Sequence, residues 1–196
     1  MKNRTATLVR KTKETDIRLS LNLDGRGTYT VDTGIGFFDH MLELFAKHAG
    51  IDLKVRCKGD LKVDTHHSVE DVGLCLGEAL LNALGDKKGI ARYGDRTLPM
   101  DEALVQAVLD LGGRPYFVFK GRVPRSEPGG FSPELVQDFF KAVSDAGKLN
   151  LHVRLFYGAN THHCIEGIFK AFARALSDAA GPGKNRTAIP STKGVL

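Results

Sequence analysis

The sequence has few cysteines and no long apolar run, and both absences restrict the class of protein. Its 196 residues include three cysteines, an odd number without a Cys-x-x-Cys pair, which argues against a disulfide framework and a structural zinc knuckle. No stretch approaches the roughly 20 apolar residues that a membrane helix needs, and the first residues lack the apolar core of a signal peptide. We therefore predict a cytoplasmic protein without a membrane partner, whose cysteines Cys57, Cys75 and Cys164 are free, partly buried thiols.

The sequence also lacks a concentrated basic segment. The formal net charge is +5, but no block of Lys and Arg stands out, and aromatic residues do not alternate with basic ones as in an RNA-binding sheet. The positive charge is scattered, with a small concentration in residues 183–196. This distribution favours a few contacts with a small phosphate ester and disfavours nucleic acid as a partner.

The chain contains an internal duplication. Residues 36–84 and 130–176 share the same order: Gly-Phe with an amphipathic segment, an alternating strand, Thr-His-His-x-x-Glu and a second amphipathic segment. Upstream, residues 21–31 and 109–119 share Leu-x-Leu-x-Gly-Arg, and the glycines between alternating segments predict a hairpin in each half. A further strand at residues 6–12 is expected to pair with the first sheet.

The predicted fold is α/β, of the two-layer α+β type, with halves that each run hairpin, helix, strand, helix. Each half should form a mixed sheet with both helices on one face, and the halves should pack with pseudo-two-fold symmetry because one half cannot bury an adequate core. The predicted boundaries are 1–88 for the first half, 89–181 for the second and 182–196 for a substrate-binding tail, within one compact catalytic domain. Residues 87–100 are expected to link the halves through a short helical turn.

Two copies of His-His-x-x-Glu occupy the first turn of a predicted helix in each half. Adjacent helical residues point about 100° apart, so the two histidines of one copy cannot easily chelate one ion, whereas the first histidine and the glutamate share a face. We expect two equivalent metal sites, each combining a His-Glu pair with the second histidine of the other copy, from the same chain or from a partner subunit. Imidazole and carboxylate ligands favour manganese or iron over a structural zinc cluster.

A plainer interpretation of one copy alone is a polar patch on a helix turn. Its recurrence with the same three ligand types at the same spacing disfavours that interpretation. The motif residues are His66, His67, Glu70, His162, His163 and Glu166.

Five segments resemble, in order and over nearly the whole chain, the signature segments of the imidazoleglycerol-phosphate dehydratase family. They read GFFDHMLELFAKHAG, VDTHHSVEDVG, PMDEALVQAVLDLGGRPY, ANTHHCIEGIFKAFARAL and PSTKGVL. The resemblance implies the dehydration of D-erythro-imidazole glycerol phosphate to imidazole acetol phosphate and water in histidine biosynthesis. It also implies two Mn²⁺ ions per active site and a homo-oligomer of 24 subunits with sites between subunits.

The resemblance further implies roles for individual residues. Glu14 matches the family's acid/base glutamate, and Asp138 stands where many relatives have histidine, so its shorter side chain has less reach to a metal. No chemical role is assigned to Asp101 and Glu102. The implied metal ligands are His40, His66, His67, Glu70, Asp138, His162, His163 and Glu166. The implied substrate-binding residues, whose arginines and lysines suit phosphate, are His48, Arg92, Arg114, Lys170, Ser191 and Lys193.

Without the resemblance, several of these residues have ordinary structural interpretations. Arg26 occupies the place of Arg114 in the first repeat, so the turn can hold an arginine for structural reasons. The others would be a half-buried helix residue (His40), a cation at a helix C-terminus (His48), a solvated helix residue (Lys170) and an exposed strand residue (Glu14).

The mechanistic hypothesis uses the imidazole ring of the substrate as an electron sink. With a metal on each ring nitrogen, the ring would be stabilised as imidazolate and would expel the adjacent hydroxyl, after which Glu14 removes a proton to give an enol that tautomerises to the ketone. Two rivals remain open at this point: a dimetal phosphate-ester hydrolase, and a nucleic-acid-binding or metal-storage module.

Overall fold

The computed structural model describes residues 4–196, so the first three residues of the predicted first half lie outside it. The described chain forms two similar halves, each with four strands and two α-helices. The first half contains β1 (Thr5–Lys11), β2 (Thr15–Asn22), β3 (Tyr29–Asp32), α1 (Gly36–Ala49), β4 (Asp52–Gly59) and α2 (His66–Leu84). The second contains β5 (Tyr93–Met100), β6 (Ala103–Asp110), β7 (Tyr116–Lys120), α3 (Leu135–Gly147), β8 (Asn150–Tyr157) and α4 (Thr161–Ala180).

Each half folds into a mixed four-stranded sheet, with the order β1-β2-β4-β3 in the first and β5-β6-β8-β7 in the second. In both sheets the first three strands are antiparallel, and the last edge strand runs parallel to its neighbour. Alternate residues of β2 and β6 are buried against the helices, as period-two side-chain alternation requires. The predicted two-layer, duplicated α+β class is confirmed, as is the pairing of the N-terminal strand with the first sheet, where it lies beside β2.

Two details of the predicted connectivity are wrong. The segments 21–31 and 109–119 do not form hairpins, because β4 lies between β2 and β3, and β8 lies between β6 and β7. The hairpin of each half is instead β1–β2 or β5–β6. Residues 87–100 contain β5 rather than a helical turn; Gly94 is the one buried residue of this edge strand, so its sequence lacks an apolar alternation.

The four helices form a layer between the two sheets. Helices α1 and α2 cover the first sheet, α3 and α4 cover the second, and the halves meet through the pairs α1–α4 and α2–α3. Aromatic side chains from both halves interlock in this layer: the ring centroids of Phe45 and Phe172 lie 5.5 Å apart, and those of Phe38 and Phe139 lie 5.3 Å apart. The halves therefore share one core, as the size of each half requires.

Both helix pairs run parallel, so the two His-His-x-x-Glu motifs lie at helix N-termini that face helices of the opposite half. The α2–α3 pair packs closely because α2 carries two glycines. A Cβ atom at Gly77 would stand 2.5 Å from the carbonyl oxygen of Val143, and one at Gly73 would stand 2.8 Å from that of Phe139. This close approach brings the first turn of α2 beside the first turn of α3.

The prediction of free cysteines is also confirmed, and Cys57, Cys75 and Cys164 are buried rather than partly buried. Burial raises the pKa of the Cys75 thiol to about 11. Among the helices within residues 4–196, none combines the length and the apolar character that crossing a membrane demands.

Candidate active site

The first cluster joins α1 to the N-terminal turns of α4. Glu166 Oε2 lies 3.0 Å from His162 Nε2 and 3.5 Å from His40 Nε2, and one ligand atom from each of the three side chains falls within 4.8 Å of the others. The helical i, i+4 spacing places His162 and Glu166 on one face, and the parallel packing of α1 adds His40. This arrangement of two imidazoles and one carboxylate has the geometry of a metal site.

Glu166 is the most enclosed member of this cluster. Its side chain is 8% exposed, and its Oε1 accepts a 2.5 Å salt bridge from Lys170 Nζ. Burial by itself raises the pKa of Glu166, but hydrogen bonds from Lys170 and His162 outweigh that effect and lower the pKa overall. The carboxylate is therefore kept ionised beside the histidines, as a metal ligand must be.

The second cluster joins α2 to α3 and repeats the first by pseudo-symmetry. His66 Nε2 lies 3.8 Å from Glu70 Oε2, and His66 Nδ1 lies 3.7 Å from Asp138 Oδ2. Asp138 occupies the position that His40 has in the first cluster. Its side chain is 39% exposed and that of Glu70 is 49% exposed, so this cluster is more open.

The structure supports one part of the predicted site geometry and changes another. The first histidine and the glutamate of each motif share a face, as expected. The third group at each cluster comes from α1 or α3, whereas the second histidines, His67 and His163, contact carboxylates outside the two clusters. The donor set fits a borderline or hard divalent ion, because both clusters contain only imidazoles and carboxylates and the cysteines are buried.

His67 lies between two carboxylates of its own half. Its Nδ1 atom is 3.1 Å from Asp60 Oδ2, and its Nε2 atom is 3.9 Å from Glu14 Oε1. The hydrogen bond to Asp60 raises the pKa of His67. Glu14 belongs to the β1–β2 turn, which is fixed because Asp71 on α2 accepts hydrogen bonds from Thr15 Oγ1 at 2.5 Å and Arg10 at 2.8 Å.

His163 has a shorter bond to a different carboxylate. Its Nδ1 atom is 2.7 Å from Glu102 Oε2, and its Nε2 atom is 3.6 Å from Asp101 Oδ2. Glu102 Oε1 also accepts the backbone N–H groups of Ala159 at 3.1 Å and Asn160 at 2.7 Å. The hydrogen bond with His163, followed by the one from Asn160, lowers the pKa of Glu102 to about 2.

Asp60 and Glu102 are residues to which the sequence prediction gave no role. Glu102 precedes Ala103, the first residue of β6, as Glu14 precedes Thr15, the first residue of β2. Extending the repeat alignment to the hairpin turns would have paired these two glutamates. Asp60 has no such signal, because it lies in a loop that differs between the halves.

Apart from Lys170, the predicted phosphate-binding residues gather at the other end of the helix layer. The guanidinium of Arg92 donates to both carboxylate oxygens of Asp110, at 2.7 and 3.1 Å, and to the carbonyl oxygen of Pro190 in the tail, at 2.8 Å. Arg92 also has a φ of 74°, an uncommon value for a residue with a side chain. The tail continues through Ser191 and exposed Lys193, and its last residue lies beside Gly113, next to exposed Arg114.

Within one chain, Arg92 and the tail are far from the two histidine–carboxylate clusters. The backbone N–H of Arg92 bonds to the carbonyl oxygen of Ala179 near the end of α4, whereas His163 stands in its first turn. At 1.5 Å of rise per residue, the two ends of this stretch are roughly 24 Å apart. Lys170 and His48 lie nearer the clusters: burial, and then the charges of Lys170 and Arg174, lower the pKa of His48.

The fold and these side chains define a duplicated α+β protein with two histidine–carboxylate clusters, of which the one formed by His40, His162 and Glu166 could hold a metal ion. The sequence model of a family described as "Imidazoleglycerol-phosphate dehydratase" matches residues 33–176. The chain belongs to the imidazoleglycerol-phosphate dehydratase family, the dehydratases of histidine biosynthesis. Among the relatives that carry this name, a protein of Acetivibrio thermocellus is 55% identical over 187 residues, covering 95% of this chain and 96% of the relative.

A second relative of the same name, from Prosthecochloris aestuarii, is 55% identical over 194 residues, with coverages of 99% and 96%. Two solved structures of this family are also similar to the chain. That of the imidazoleglycerol-phosphate dehydratase of Staphylococcus aureus has a TM-score of 0.83 and 40% identity, covering 91% of this chain and 99% of that one. A Pyrococcus furiosus structure, in complex with (S)-C348, has a TM-score of 0.84 and 34% identity, with coverages of 96% and 100%.

Proposed function

We propose that this chain dehydrates D-erythro-imidazole glycerol phosphate to imidazole acetol phosphate and water, with two Mn²⁺ ions per active site. The observation that carries the proposal is the pair of histidine–carboxylate clusters, each made from one helix of either half. Two metal-binding positions would allow one ion to bind each of the two nitrogens of the substrate's ring. The cytoplasmic location stays a prediction.

The metal ligands we propose are the cluster residues together with the second histidine of each motif. His40, His162 and Glu166 would hold one ion, and His66, Glu70 and Asp138 the other, with His67 and His163 completing sites across subunit contacts. The bound ions would supply positive charge that stabilises electron density on the imidazole ring.

We assign proton transfer to Glu14. Its side chain is 53% exposed and 3.9 Å from His67 Nε2, so its carboxylate is available to a substrate that approaches this histidine. The turn that carries it is anchored to α2 through Asp71, which fixes the position of the base relative to the metal ligands. Glu14 would take the proton from the carbon next to the one that loses its hydroxyl, as general base.

The phosphate would be bound by Arg92, Arg114, Lys170, Ser191 and Lys193, with His48 nearby. A three-carbon chain joins the ring of the substrate to its phosphate, which is too short to span the roughly 24 Å between the two ends of α4. One molecule can contact both Arg92 and a histidine–carboxylate cluster only if they come from different subunits. The separation thus supports the proposed homo-oligomer, for which the family implies 24 subunits.

Turnover of imidazole glycerol phosphate by chelator-stripped protein, with and without Mn²⁺, tests the whole proposal. We expect activity only with the metal, a ketone product that retains its phosphate, and a sedimentation coefficient of a large assembly. Release of inorganic phosphate would instead identify the rival dimetal phosphate-ester hydrolase. Absence of turnover with every divalent ion would contradict the proposed reaction.

Glu14→Gln tests the assignment of the base. The variant should bind Mn²⁺ and substrate as the unaltered chain does, while its turnover falls by at least about 100-fold, the usual contribution of general-base catalysis. Near-normal turnover would remove Glu14 from the mechanism.

A further inference from the structure

The second histidine of each motif has a carboxylate on its Nδ1 atom, but the two halves supply that carboxylate from different places. Asp60, in the loop before α2, bonds to His67 at 3.1 Å. Glu102, in the turn before β6, bonds to His163 at 2.7 Å. In both cases Nδ1 makes the hydrogen bond, while Nε2 lies 3.9 Å from Glu14 Oε1 in the first half and 3.6 Å from Asp101 Oδ2 in the second.

The difference arises in the loops that precede the two motifs. The first loop, residues 60–65, is three residues longer than its counterpart, residues 158–160, and it contains Asp60. The shorter loop has no carboxylate; it donates the N–H groups of Ala159 and Asn160 to Glu102 instead. These bonds fix Glu102 beside His163.

Glu14 is the counterpart of Glu102 and is placed differently. It lies 3.9 Å from His67, beyond hydrogen-bond distance, and its carboxylate makes no hydrogen bond within residues 4–196. Asp60 already occupies the Nδ1 side of His67, so this histidine does not require the hairpin glutamate.

From these contacts we infer that Asp60 and Glu102 are positioning residues with a shared role, in which each accepts the Nδ1 proton of its histidine and so presents Nε2 to the metal. A hydrogen bond to one ring nitrogen selects the tautomer whose other nitrogen binds a cation, and the bond orients the ring. The inference rests on the proposed function, and it assigns different roles to the equivalent glutamates Glu14 and Glu102. Because Asp60 fills this role in the first half, the carboxylate of Glu14 stays free for proton transfer. Glu102 is instead held by its bond to His163.

Titration of the chelator-stripped full-length protein with Mn²⁺, followed by the electron paramagnetic resonance signal of free Mn²⁺, tests the inference. Asp60→Ala should lower the affinity for one of the two Mn²⁺ ions by roughly 10- to 100-fold, the range for partners of metal-bound histidines. Glu102→Ala should lower the affinity for one ion to the same extent. Asp60→Asn and Glu102→Gln should recover part of the loss, because an amide oxygen still accepts the Nδ1 proton.

Two further variants separate positioning from general damage to the loop or the turn. Lys62→Ala changes an exposed residue of the same loop, and it should leave both affinities and turnover unchanged. Glu14→Ala should lose turnover while keeping both Mn²⁺ affinities, in contrast to Glu102→Ala at the equivalent position.

Equal affinities in the unaltered chain and in both alanine variants would overturn the inference while leaving the proposed reaction intact. A loss of Mn²⁺ affinity in Glu14→Ala as large as that in Glu102→Ala would show that the two glutamates act alike and would overturn the assignment of different roles. If the unaltered chain binds no Mn²⁺, the proposed function and this inference both fail.

Discussion

The two clusters at the helix N-termini share a plan but differ in how firmly their side chains are fixed. In the α1–α4 cluster, Glu166 is 8% exposed and contacts His40, His162 and Lys170. In the α2–α3 cluster, Glu70 is 49% exposed, and within residues 4–196 its one ion pair is with His66, at 3.8 Å. The position that corresponds to Lys170 in the first repeat is Leu74, so Glu70 has no matching cation four residues later.

A motif repeated without change in sequence therefore need not give two equally organised sites. The histidines and glutamates are the same in both copies, and the differences come from their neighbours. Asp138 replaces the longer His40, and Leu74 replaces Lys170. We expect the α1–α4 cluster to be organised before metal binds and the α2–α3 cluster to be ordered by the metal.

Neutralising the two glutamates should give the largest contrast. Glu166→Gln should lower the affinity for one Mn²⁺ by at least about 100-fold, more than the loss of a supporting hydrogen bond. It should also cost about 1–3 kcal/mol of metal-free stability, because Lys170 is left without its partner. Glu70→Gln should weaken Mn²⁺ but change metal-free stability by less than about 1 kcal/mol, as for an exposed pair.

Urea unfolding in the presence of chelator measures the stability of both variants, and Mn²⁺ titration measures their affinities. Glu78→Gln, on the exposed side of α2, is the control and should change neither quantity. Equal losses of stability in Glu166→Gln and Glu70→Gln would contradict the asymmetry.

A smaller effect is expected from making the second cluster resemble the first. Asp138→His supplies the longer side chain found at His40, and it should strengthen the weaker Mn²⁺ site by about tenfold, equivalent to roughly 1.4 kcal/mol. Isothermal titration calorimetry of the chelator-stripped protein would measure the change. Weaker binding in the variant would mean that the aspartate is required at this position and that its 3.7 Å distance from His66 suits the site.

The smallest effect concerns the loops that carry Arg26 and Arg114. Asp52 accepts hydrogen bonds from the backbone N–H of Arg26 and from Thr28, which lower its pKa from 3.8 to about 2. Its counterpart Asn150 donates instead to the carbonyl oxygen of Arg114, at 2.6 Å. The first loop is therefore stabilised by an ionised carboxylate and the second by a neutral amide.

Asp52→Asn should reduce stability at pH 7 by no more than about 1 kcal/mol, since the side chain is well solvated. Because the folded-state pKa is the lower one, the contribution is present above about pH 4 and is lost as the pH falls from about 4 to 2. Unfolding curves of the variant and the unaltered chain should therefore converge over that range. Asn150→Ala provides the control, with a loss of stability that shows no such convergence, and parallel curves for Asp52→Asn would refute the assignment.

The sequence predicted those features that depend on local spacing. The i, i+4 positions of His66 and Glu70, and of His162 and Glu166, required only a helix, and the helix followed from its apolar face. The hairpin predictions failed because a strand from farther along the chain decides the pairing. Nothing in residues 21–31 shows that β4 will lie between β2 and β3. The edge strand β5 was missed because it has little apolar surface to bury.

By itself, the sequence determined the duplication, the two-layer fold and the family, because repeats, periodicity and ligand spacing are properties of the linear chain. The tertiary structure decided which groups meet: His40 with Glu166, Asp138 with His66, Asp60 with His67 and Glu102 with His163. It also separated Arg92 from these groups by roughly the length of α4. Such contacts depend on helix packing and loop length between distant segments, and spacing along the chain does not encode either one directly.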